Sequence, residues 1–444
     1  MPTSSAQPSR PRECCSSPSH FLSRSRKGLP TIVALGTAYC SSTQAPTRAF
    51  LAGRIGELQA HFPTLYAQFG YGRGDMVATR EEGPWSATMI IQDDQYLADS
   101  GTEGDVFTKL LLDEGNRMSR NVSSRDDSPL WQVGVHTHPL RPRVYITLTL
   151  DHVLADGHGA LNLLQALLAP SIADLPYERV EDIPSFEDTV DVAPPAAADR
   201  QGEPPSPYIW PSVPPKIMLS QATPSASIFS LSVKDLSLLK AAAKAHGVPT
   251  LHPVLKTIYS FALWSVYRLD SPSLRLASST PRSERNLTLG HAYCTGNYVC
   301  AHKFDISIYE GQNFWYVARR VLEQITDPVD LARARAVSGP EPPPQPKPLG
   351  IPAPFTQSFS FSNLGLSSLP SGADDMSWLA VPTENGKGPM SVMVIGFERG
   401  LRVCTTWRDG GAVEMKEVKE VERIFNRVVR RLIEGKDLAD ELIE

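Results

Sequence analysis

The chain has 444 residues, of which 41% are hydrophobic, and this length exceeds what a single hydrophobic core usually fills. We therefore expect two domains of roughly 200 residues each. A net charge of −5 disfavours nucleic acid and anionic membrane surfaces as partners, because both select basic proteins, and favours a small molecule. No run of about 18 apolar residues is present, so no transmembrane helix is predicted.

Residues 1–29 are rich in Ser, Pro and Arg and almost free of acidic residues, a composition that is only weakly similar to a transit peptide. They lack an amphipathic apolar stripe and the apolar stretch of a secretory signal, so a disordered tail is preferred. The six cysteines show no CxxC pair and no metal-ligand spacing. Free thiols in a reducing, cytoplasmic setting are expected for Cys14, Cys15, Cys40, Cys294, Cys300 and Cys404.

Residues 30–185 predict an N-terminal domain. "LPTIVALGTAY" indicates a strand, and the following segment carries apolar residues at helical spacing until Pro63 ends the helix. "WSATMIIQ" suggests a further strand. Residues 144–168, "VYITLTLDHVLADGHGALNLLQALL", alternate like a strand and then continue as an apolar helix. Residues 186–225 are rich in proline and charge and predict a linker.

Residues 226–444 predict a C-terminal domain. After a first strand, Ser232 and Asp235 resemble a helix cap, and Gly247 ends that helix. The next helix starts at Thr250 and is apolar over most of its circumference, which is typical of a buried helix. "SLRLASST", "NYVCAHKFDIS" and "PFTQSFSFSN" indicate strands, and "NFWYVARRVLEQI" indicates a helix between them.

The end of the chain predicts a hairpin and an amphipathic helix. The hairpin "SVMVIGFERGLRVCTTW" is expected to turn at Arg399 and Gly400. No short internal repeat is present, so a solenoid is excluded, and the fold class is α/β (α+β) with two mixed halves. One apolar face runs along the last helix at Val418, Val421, Phe425, Val428 and Leu432.

The strand, turn and helix of residues 144–168 place a histidine and an aspartate close together. His152 continues the apolar side of the strand if the strand extends that far, and partial burial would disfavour its charged form. Asp156 falls in a turn, where Gly157 and Gly159 permit unusual backbone angles. An unpaired buried carboxylate is costly, so Asp156 is expected to hold the turn through an arginine.

Two arginines in "STPRSERN", Arg282 and Arg285, are the candidate partners of Asp156. Structural alternatives remain open, because a histidine at a strand end is often structural and an aspartate before a helix is often its N-cap. A metal site is the weaker hypothesis, since nothing in the sequence shows that its ligands converge. Its ligands would be His136, His138, His152, Asp156 and His158.

"HVLADG" resembles the His-x-x-x-Asp-Gly signature of the chloramphenicol acetyltransferase-like superfamily, which includes plant BAHD acyltransferases, peptide-synthetase condensation domains and fungal alcohol acetyltransferases. "TPRSERN", "TGNYV" and "SFSNLG" are similar to segments of the alcohol acetyltransferase branch. The resemblance covers roughly residues 30 to 435. Asp151 departs from the second histidine of condensation domains, no DFGWG segment is present, and the opening segment of the superfamily is replaced by the tail.

The resemblance implies two pseudo-symmetric domains with an active-site tunnel between them, and a monomer. It implies direct transfer of an acyl group, with acetyl as the first choice, from acyl-CoA as co-substrate to an alcohol or amine. His152 would be the general base, and no permanently bound cofactor or metal is implied. Ser362 and Asn363 are the implied oxyanion donors. Gly157 would keep the tunnel clear for pantetheine or serve the turn alone, and Lys387 would meet a phosphate of coenzyme A.

Three functions therefore stay open. O-acylation of a small alcohol or secondary metabolite comes first. N-acylation of an amine, or condensation with a carrier-bound donor, is the alternative within the same enzyme class. A catalytically silent binding protein of the same fold is the alternative from another class, and the atypical N-terminus is the feature that motivates it.

Overall fold

The computed structural model describes most of the chain with several gaps. The described residues are 12–13, 21, 24–25, 29–69, 76–79, 82–92, 103–124, 128–138, 141–174, 209–212, 214–268, 273–285, 296–337, 354–383 and 387–436. Most of the predicted linker, the proline-rich residues 338–353 and most of residues 1–28 therefore lie outside the described residues. Two hydrophobic clusters organise the rest.

The first cluster surrounds a five-stranded sheet with the order β12-β2-β7-β6-β5. Every residue of β2 and β7 is buried, and the helices Glu103–Ser124 and Gly157–Leu168 both pack against these two strands. A three-stranded sheet of β1, β4 and β3 is separate. The strands of these two sheets are β1 (Arg12–Glu13), β2 (Ile32–Tyr39), β3 (Ala67–Phe69), β4 (Met76–Thr79), β5 (Ile91–Gln92), β6 (Trp131–Thr137), β7 (Val144–Asp151) and β12 (Ala373–Ala380).

Three main helices pack on this first half. The predicted helix that Pro63 ends is α1, which starts at the Thr47 cap and finishes at His61. α3 packs against β2 and β7 and also reaches β8 of the other sheet, so it links the two halves. The helices are α1 (Arg48–His61), the single turn α2 (Ala87–Ile90), α3 (Glu103–Ser124) and α4 (Gly157–Leu168), with 3-10 turns at Pro63–Tyr66 and Ile172–Asp174.

The second cluster surrounds a six-stranded sheet with the order β10-β9-β11-β13-β14-β8. β11 lies parallel to β9 and β13, and the other neighbours are antiparallel, so the sheet is mixed. Its strands are β8 (Thr223–Ser232), β9 (Ser273–Ser283), β10 (Val299–Tyr309), β11 (Phe359–Leu366), β13 (Met390–Phe397) and β14 (Gly400–Asp409).

Helices α5 to α9 complete the second half. Most residues of α6 are buried on all sides of the helix, as the sequence predicts, because α7 and α9 pack against it. All five apolar residues predicted to form one face of the last helix are buried in α9. These helices are α5 (Val233–Ala245), α6 (Leu251–Tyr267), α7 (Phe314–Thr326), α8 (Pro328–Val337) and α9 (Met415–Ile433).

One strand crosses between the halves. β12 lies in the C-terminal part of the sequence but pairs antiparallel with β2 of the first sheet. Its Trp378 donates a hydrogen bond from Nε1 to the Val394 carbonyl of β13 at 3.0 Å, so β12 also contacts the second sheet. The halves are therefore joined by a strand exchange as well as by packing.

Most predicted elements are confirmed, including the Ser232 N-cap, which accepts a hydrogen bond from the Asp235 amide. The strand predicted at "WSATMIIQ" is wrong over most of its length. The chain instead makes a helical turn at Ala87–Ile90, which buries Ile90, before the two-residue strand β5.

Two boundaries also differ from the predictions. Phe397 pairs with Gly400, so the hairpin turns at Glu398 and Arg399, and Gly400 begins β14 with a φ of 144°. β8 begins at Thr223, inside the end of the predicted 186–225 linker. Among the described helices, none has the length and apolar composition needed to cross a membrane.

Candidate active site

A cavity of about 650 Å³ lies between the two sheets. Residues from both halves line it, and they include most of the side chains that the sequence singled out. The predicted residues on its wall are His152, Asp156, Gly157, Arg282, Ser362, Asn363 and Lys387.

His152 lies in the turn that follows β7. The strand ends at Asp151, so it does not extend to His152 as the predicted side-chain alternation requires. The turn therefore sets the direction of the His152 ring. The backbone of the turn is held from two sides. The His152 amide donates to the Thr31 carbonyl at 2.8 Å, and the Asn297 side-chain amide donates to the His152 carbonyl. The histidine therefore stands on a backbone fixed by both halves.

The face of the His152 ring is covered by Phe21, whose ring stacks on it with 3.9 Å between centroids. Ser25 is buried and donates a hydrogen bond to Asp151 Oδ2 at 2.7 Å. The prediction that residues 1–29 form a disordered tail is therefore wrong at Phe21 and Ser25. The physical reason is that an aromatic ring and a hydroxyl in this segment meet an imidazole and a buried carboxylate, which composition alone does not reveal.

Asp151 occupies the position before His152 and is fully buried. Burial raises the pKa of its carboxyl to about 6, although hydrogen bonds from the Val153 amide and Ser25 and the charge of Arg24 oppose the rise. Its Oδ1 accepts from the Val153 amide at 2.9 Å. Asp151 thus ties the turn to the N-terminal segment.

Asp156 is the N-cap of α4, and its Oδ1 accepts from the Gly159 amide at 2.8 Å. Its Oδ2 accepts from Arg285 Nη1 at 2.7 Å and from the Tyr298 amide at 2.8 Å. Burial alone would raise the pKa of this carboxyl, but the Arg285 charge and these hydrogen bonds outweigh burial and hold the pKa below its usual value. The N-cap and the arginine partner are therefore present together.

Arg285 also links the turn to the Gly296 region. Its Nη2 donates to the Gly296 carbonyl at 2.9 Å, and the same carbonyl accepts from the Asp156 amide at 3.1 Å. Asp156 and Arg285 are both almost completely buried. The ion pair and its shared carbonyl thus join α4 of the first half to the β9–β10 connection of the second.

Arg282 does not contact Asp156, so its assignment as a candidate partner was wrong. Its Nε lies 3.3 Å from Glu284 Oε1, and Glu284 also pairs with Arg335. Arg282 and Ser283 are neighbours in β9, so their side chains point to opposite faces of the sheet, and Arg285 Nη1 donates to Ser283 Oγ at 3.3 Å. Arg282 instead reaches the cavity wall.

The glycines of the turn are required for space and not for backbone angle, because neither Gly157 nor Gly159 has a positive φ. A β-carbon on Gly157 would lie 3.0 Å from Leu364 Cδ2 and 3.3 Å from the Trp378 ring. A β-carbon on Gly159 would lie 3.0 Å from Arg285 Nη2. Each glycine thus allows a close approach by the second half of the molecule.

Ser362 and Asn363 lie near the end of β11, where its pairing with β13 becomes irregular. Asn363 Oδ1 accepts a hydrogen bond from the Gly365 amide at 2.8 Å, which fixes the side chain and leaves its NH2 group as a donor. Lys387 is exposed at the cavity, and its carbonyl accepts from the Thr356 and Gln357 amides.

The residues of the metal hypothesis are divided between two places. His136 is buried with Nε2 3.7 Å from Glu114 Oε1, whereas His158 lines the cavity beside Asp156, where burial lowers the pKa of its ring. Across the described part of the chain, no three His, Cys, Asp or Glu side chains converge as a metal site would require.

Several residues of the site carry a weak signal or none in the sequence. The "TGNYV" segment points to Asn297 through its resemblance, but not to the contact of Asn297 with the His152 carbonyl. Trp378 reaches the site from a strand that joins the other sheet, and Phe21 comes from a segment without periodicity. Their roles depend on long-range contacts that local patterns do not encode.

The chain matches no protein-family model, and no curated protein matches it. It is similar in structure to a trichothecene 15-O-acetyltransferase from Fusarium sporotrichioides, with a TM-score of 0.64 at 12% identity, covering 95% of this chain and 94% of that one. It is also similar to the first condensation domain of the calcium-dependent antibiotic synthetase, with a TM-score of 0.61 at 14% identity, covering 98% and 99%.

A third similar structure is the epimerization domain from the third module of tyrocidine synthetase B, with a TM-score of 0.62 at 13% identity, covering 98% of this chain and 99% of that one. These likenesses extend over the whole chain and include both sheets. The protein therefore has the two-part α/β fold of condensation domains and chloramphenicol acetyltransferase-like acyltransferases.

Proposed function

We propose that the protein is an acyltransferase that moves an acyl group, acetyl being the first choice, from acyl-CoA to the hydroxyl of a small alcohol or secondary metabolite. The observation that carries this proposal is the position of His152, which lies on the wall of a cavity between two halves and is held by both. The fold, shared with a trichothecene 15-O-acetyltransferase, supports the same reaction class.

In the proposed reaction His152 acts as the general base. An alcohol has a pKa far above 7, so it attacks a thioester slowly until a positioned base removes its proton. The imidazole takes the hydroxyl proton as the oxygen attacks the thioester carbonyl, and the proton then passes to the departing thiolate of coenzyme A. General-base assistance of this kind contributes about 10²–10⁴-fold to the rate.

The transfer is direct and proceeds without a covalent acyl-enzyme. Cys300 lies on the cavity wall, but burial and the neighbouring Glu284 carboxylate raise the pKa of its thiol far above the usual value. A thiol that stays protonated is a poor nucleophile. Both substrates would therefore occupy the cavity together, and its volume of about 650 Å³ lies within the usual range of small-molecule sites.

The remaining roles follow from position on the same wall. The Ser362 hydroxyl and the Asn363 NH2 group would donate hydrogen bonds to the oxyanion, and loss of one such donor typically costs about 3–4 kcal/mol. Asp156 and Arg285 hold the turn that carries the base. Lys387, exposed at the cavity, would contact a phosphate of coenzyme A.

A second candidate function is acyl transfer to an amine or from a carrier-bound donor. It is favoured by the likeness to a condensation domain, although Asp151 replaces the second histidine of that signature. Competition separates the donors: free coenzyme A should inhibit an enzyme that uses its thioesters and leave a carrier-dependent enzyme unaffected. A silent binding protein would bind ligand in wild-type and variant forms without turnover in either.

The proposal is tested by thiol release from acetyl-CoA with a panel of alcohols and amines. We expect acceptor-dependent release by the wild type and a loss of at least about 100-fold in His152→Ala, with product identity showing O- or N-acylation. His246→Ala, which removes an exposed histidine that stacks on Trp315, is the matched control. No release with any acceptor from folded protein would reject acyl transfer from acetyl-CoA.

A further inference from the structure

A buried lysine stands in the second half of the molecule with no acidic partner among the residues that the structure describes. Lys256 of α6 is fully buried, and its Nζ donates to Thr280 Oγ1 at 2.9 Å and lies 3.5 Å from the centre of the Phe304 ring. Burial alone lowers the pKa of its amine, and no carboxylate among the described residues opposes that shift. A buried cation that is not paired is costly, so such a residue is seldom retained for packing alone.

Three polar side chains stand between Lys256 and the cavity. His252 lies one helical turn before Lys256, and its Nε2 is 3.3 Å from the same Thr280 hydroxyl. His302 lies directly opposite Thr280 in the pairing of β9 with β10, so both side chains are on one face of the sheet. His252, Thr280 and His302 all line the cavity.

This cluster offers hydrogen-bond donors to a ligand in the cavity. Burial lowers the pKa of Lys256 and, together with the Lys256 charge, lowers that of His252 to about 3, so a bound anion would favour their charged forms. Thr280 Oγ1 accepts a hydrogen bond from Lys256 Nζ, so the Thr280 hydroxyl can itself donate to the anion. The Nε2 atom of His302 is buried and makes no hydrogen bond within the described residues. Arg282 lines the same wall. Burial and then the Arg282 charge lower the pKa of the His302 ring, and the Glu284 and Asp330 carboxylates oppose this shift.

We infer that Thr280, His252 and His302, with Lys256 behind them, form an anion-binding subsite that takes a carboxylate or phosphate group of a substrate. An anion at this place would supply a counter-charge near Lys256 and accept a hydrogen bond from the Thr280 hydroxyl. Charge-assisted hydrogen bonds of this kind are about twice as strong as neutral ones. The inference extends the proposed function by giving one substrate an acidic group.

The position of the subsite defines which part of a substrate it binds. His252, Thr280 and His302 lie on α6, β9 and β10 of the second half, whereas His152 lies in the turn after β7 of the first half. The anion would therefore bind a part of the cavity wall that is separate from His152. It belongs to a part of a substrate other than the reacting carbonyl, either the phosphate part of coenzyme A or an acid on the acceptor.

The test measures binding and needs no turnover. Calorimetric titrations at constant ionic strength use inorganic phosphate and glutarate as probes, with wild type, Lys256→Met and Thr280→Val. Lys303→Met is the matched control, because Lys303 is an exposed lysine of the same wall next to His302. We expect saturable binding of at least one probe, weakened roughly ten- to hundredfold in the first two variants and within about twofold of wild type in the control.

Competition identifies the source of the anion. Displacement of phosphate by coenzyme A but not by phosphate-free pantetheine would assign the subsite to the acyl donor, whereas glutarate binding that coenzyme A leaves intact would assign it to the acceptor. Absence of saturable binding by wild type, unchanged binding by Lys256→Met, or an equal loss in Lys303→Met would overturn the inference. Probe binding without acyl transfer would keep the subsite and reject the proposed enzyme.

Discussion

Asp156 and Arg285 form a buried ion pair, with Nη1 and Oδ2 2.7 Å apart, that joins the turn carrying His152 to the second half of the molecule. The carboxylate also accepts two backbone amides. The pair thus combines a helix cap with a contact between two sheets, and its integrity determines where the histidine stands.

Replacing Asp156 by Asn should destabilise the fold strongly. The substitution leaves the Arg285 guanidinium buried without a counter-charge, and removing one partner of such a pair costs about 3–5 kcal/mol. Urea unfolding measures the change. Asp305→Asn is the control, since it removes a carboxylate from the exposed pair with Arg275 and should cost at most about 1 kcal/mol. A variant that melts like wild type but has lost activity would refute the structural role of Asp156.

Asp151 should make stability depend on pH in the opposite sense to most carboxylates. Its folded pKa of about 6 lies above the unfolded value of 3.8, so the folded state binds the proton more tightly than the unfolded state does. Stability from this group is complete below about pH 4 and is lost as the pH rises to about 6, by about 3 kcal/mol.

Asp151→Asn should abolish this dependence and stabilise the protein at neutral pH. The amide keeps an acceptor for the Val153 amide and can donate to Ser25 in place of accepting from it. The measurement is the free energy of unfolding at pH 4.5 and 7.5 for both proteins. The wild type should lose more stability than the variant between these values, and an equal change in both would contradict the assignment.

Replacement by alanine should have opposite effects on stability at Gly159 of the turn and at Gly53 of α1. Gly159→Ala would place a β-carbon 3.0 Å from Arg285 Nη2 and 3.1 Å from the Gly296 carbonyl, so we expect a loss of about 1–3 kcal/mol from overpacking. Gly53→Ala in α1 meets no atom within 4 Å and should stabilise by about 0.5–1 kcal/mol through helix propensity. Melting temperatures of the two variants decide the matter, and a stable Gly159→Ala would remove the steric argument.

The sequence predicts the local parts of this site and not the long-range ones. Hydrophobic periodicity locates β7 and α4, and the cost of an unpaired buried carboxylate predicts an arginine partner for Asp156, with Arg282 and Arg285 as the candidates. Choosing Arg285 over Arg282 requires the strand direction at the end of β9. The exchange of β12 into the first sheet has no local signature, because the eight residues of this strand do not specify which sheet they join.

The contact between Phe21 and His152 shows the same limit, and it gives the last prediction. A proton acceptor is approached in the plane of its ring, so an aromatic ring stacked on the face can restrain the imidazole without blocking its nitrogen atoms. Phe21→Ala should therefore lower kcat several-fold with little change in KM, whereas Phe21→Tyr, which keeps the stack, should retain activity. Steady-state kinetics of both variants with the best acceptor provide the test. A faster Phe21→Ala enzyme would show instead that this ring covers the site and that its displacement precedes catalysis.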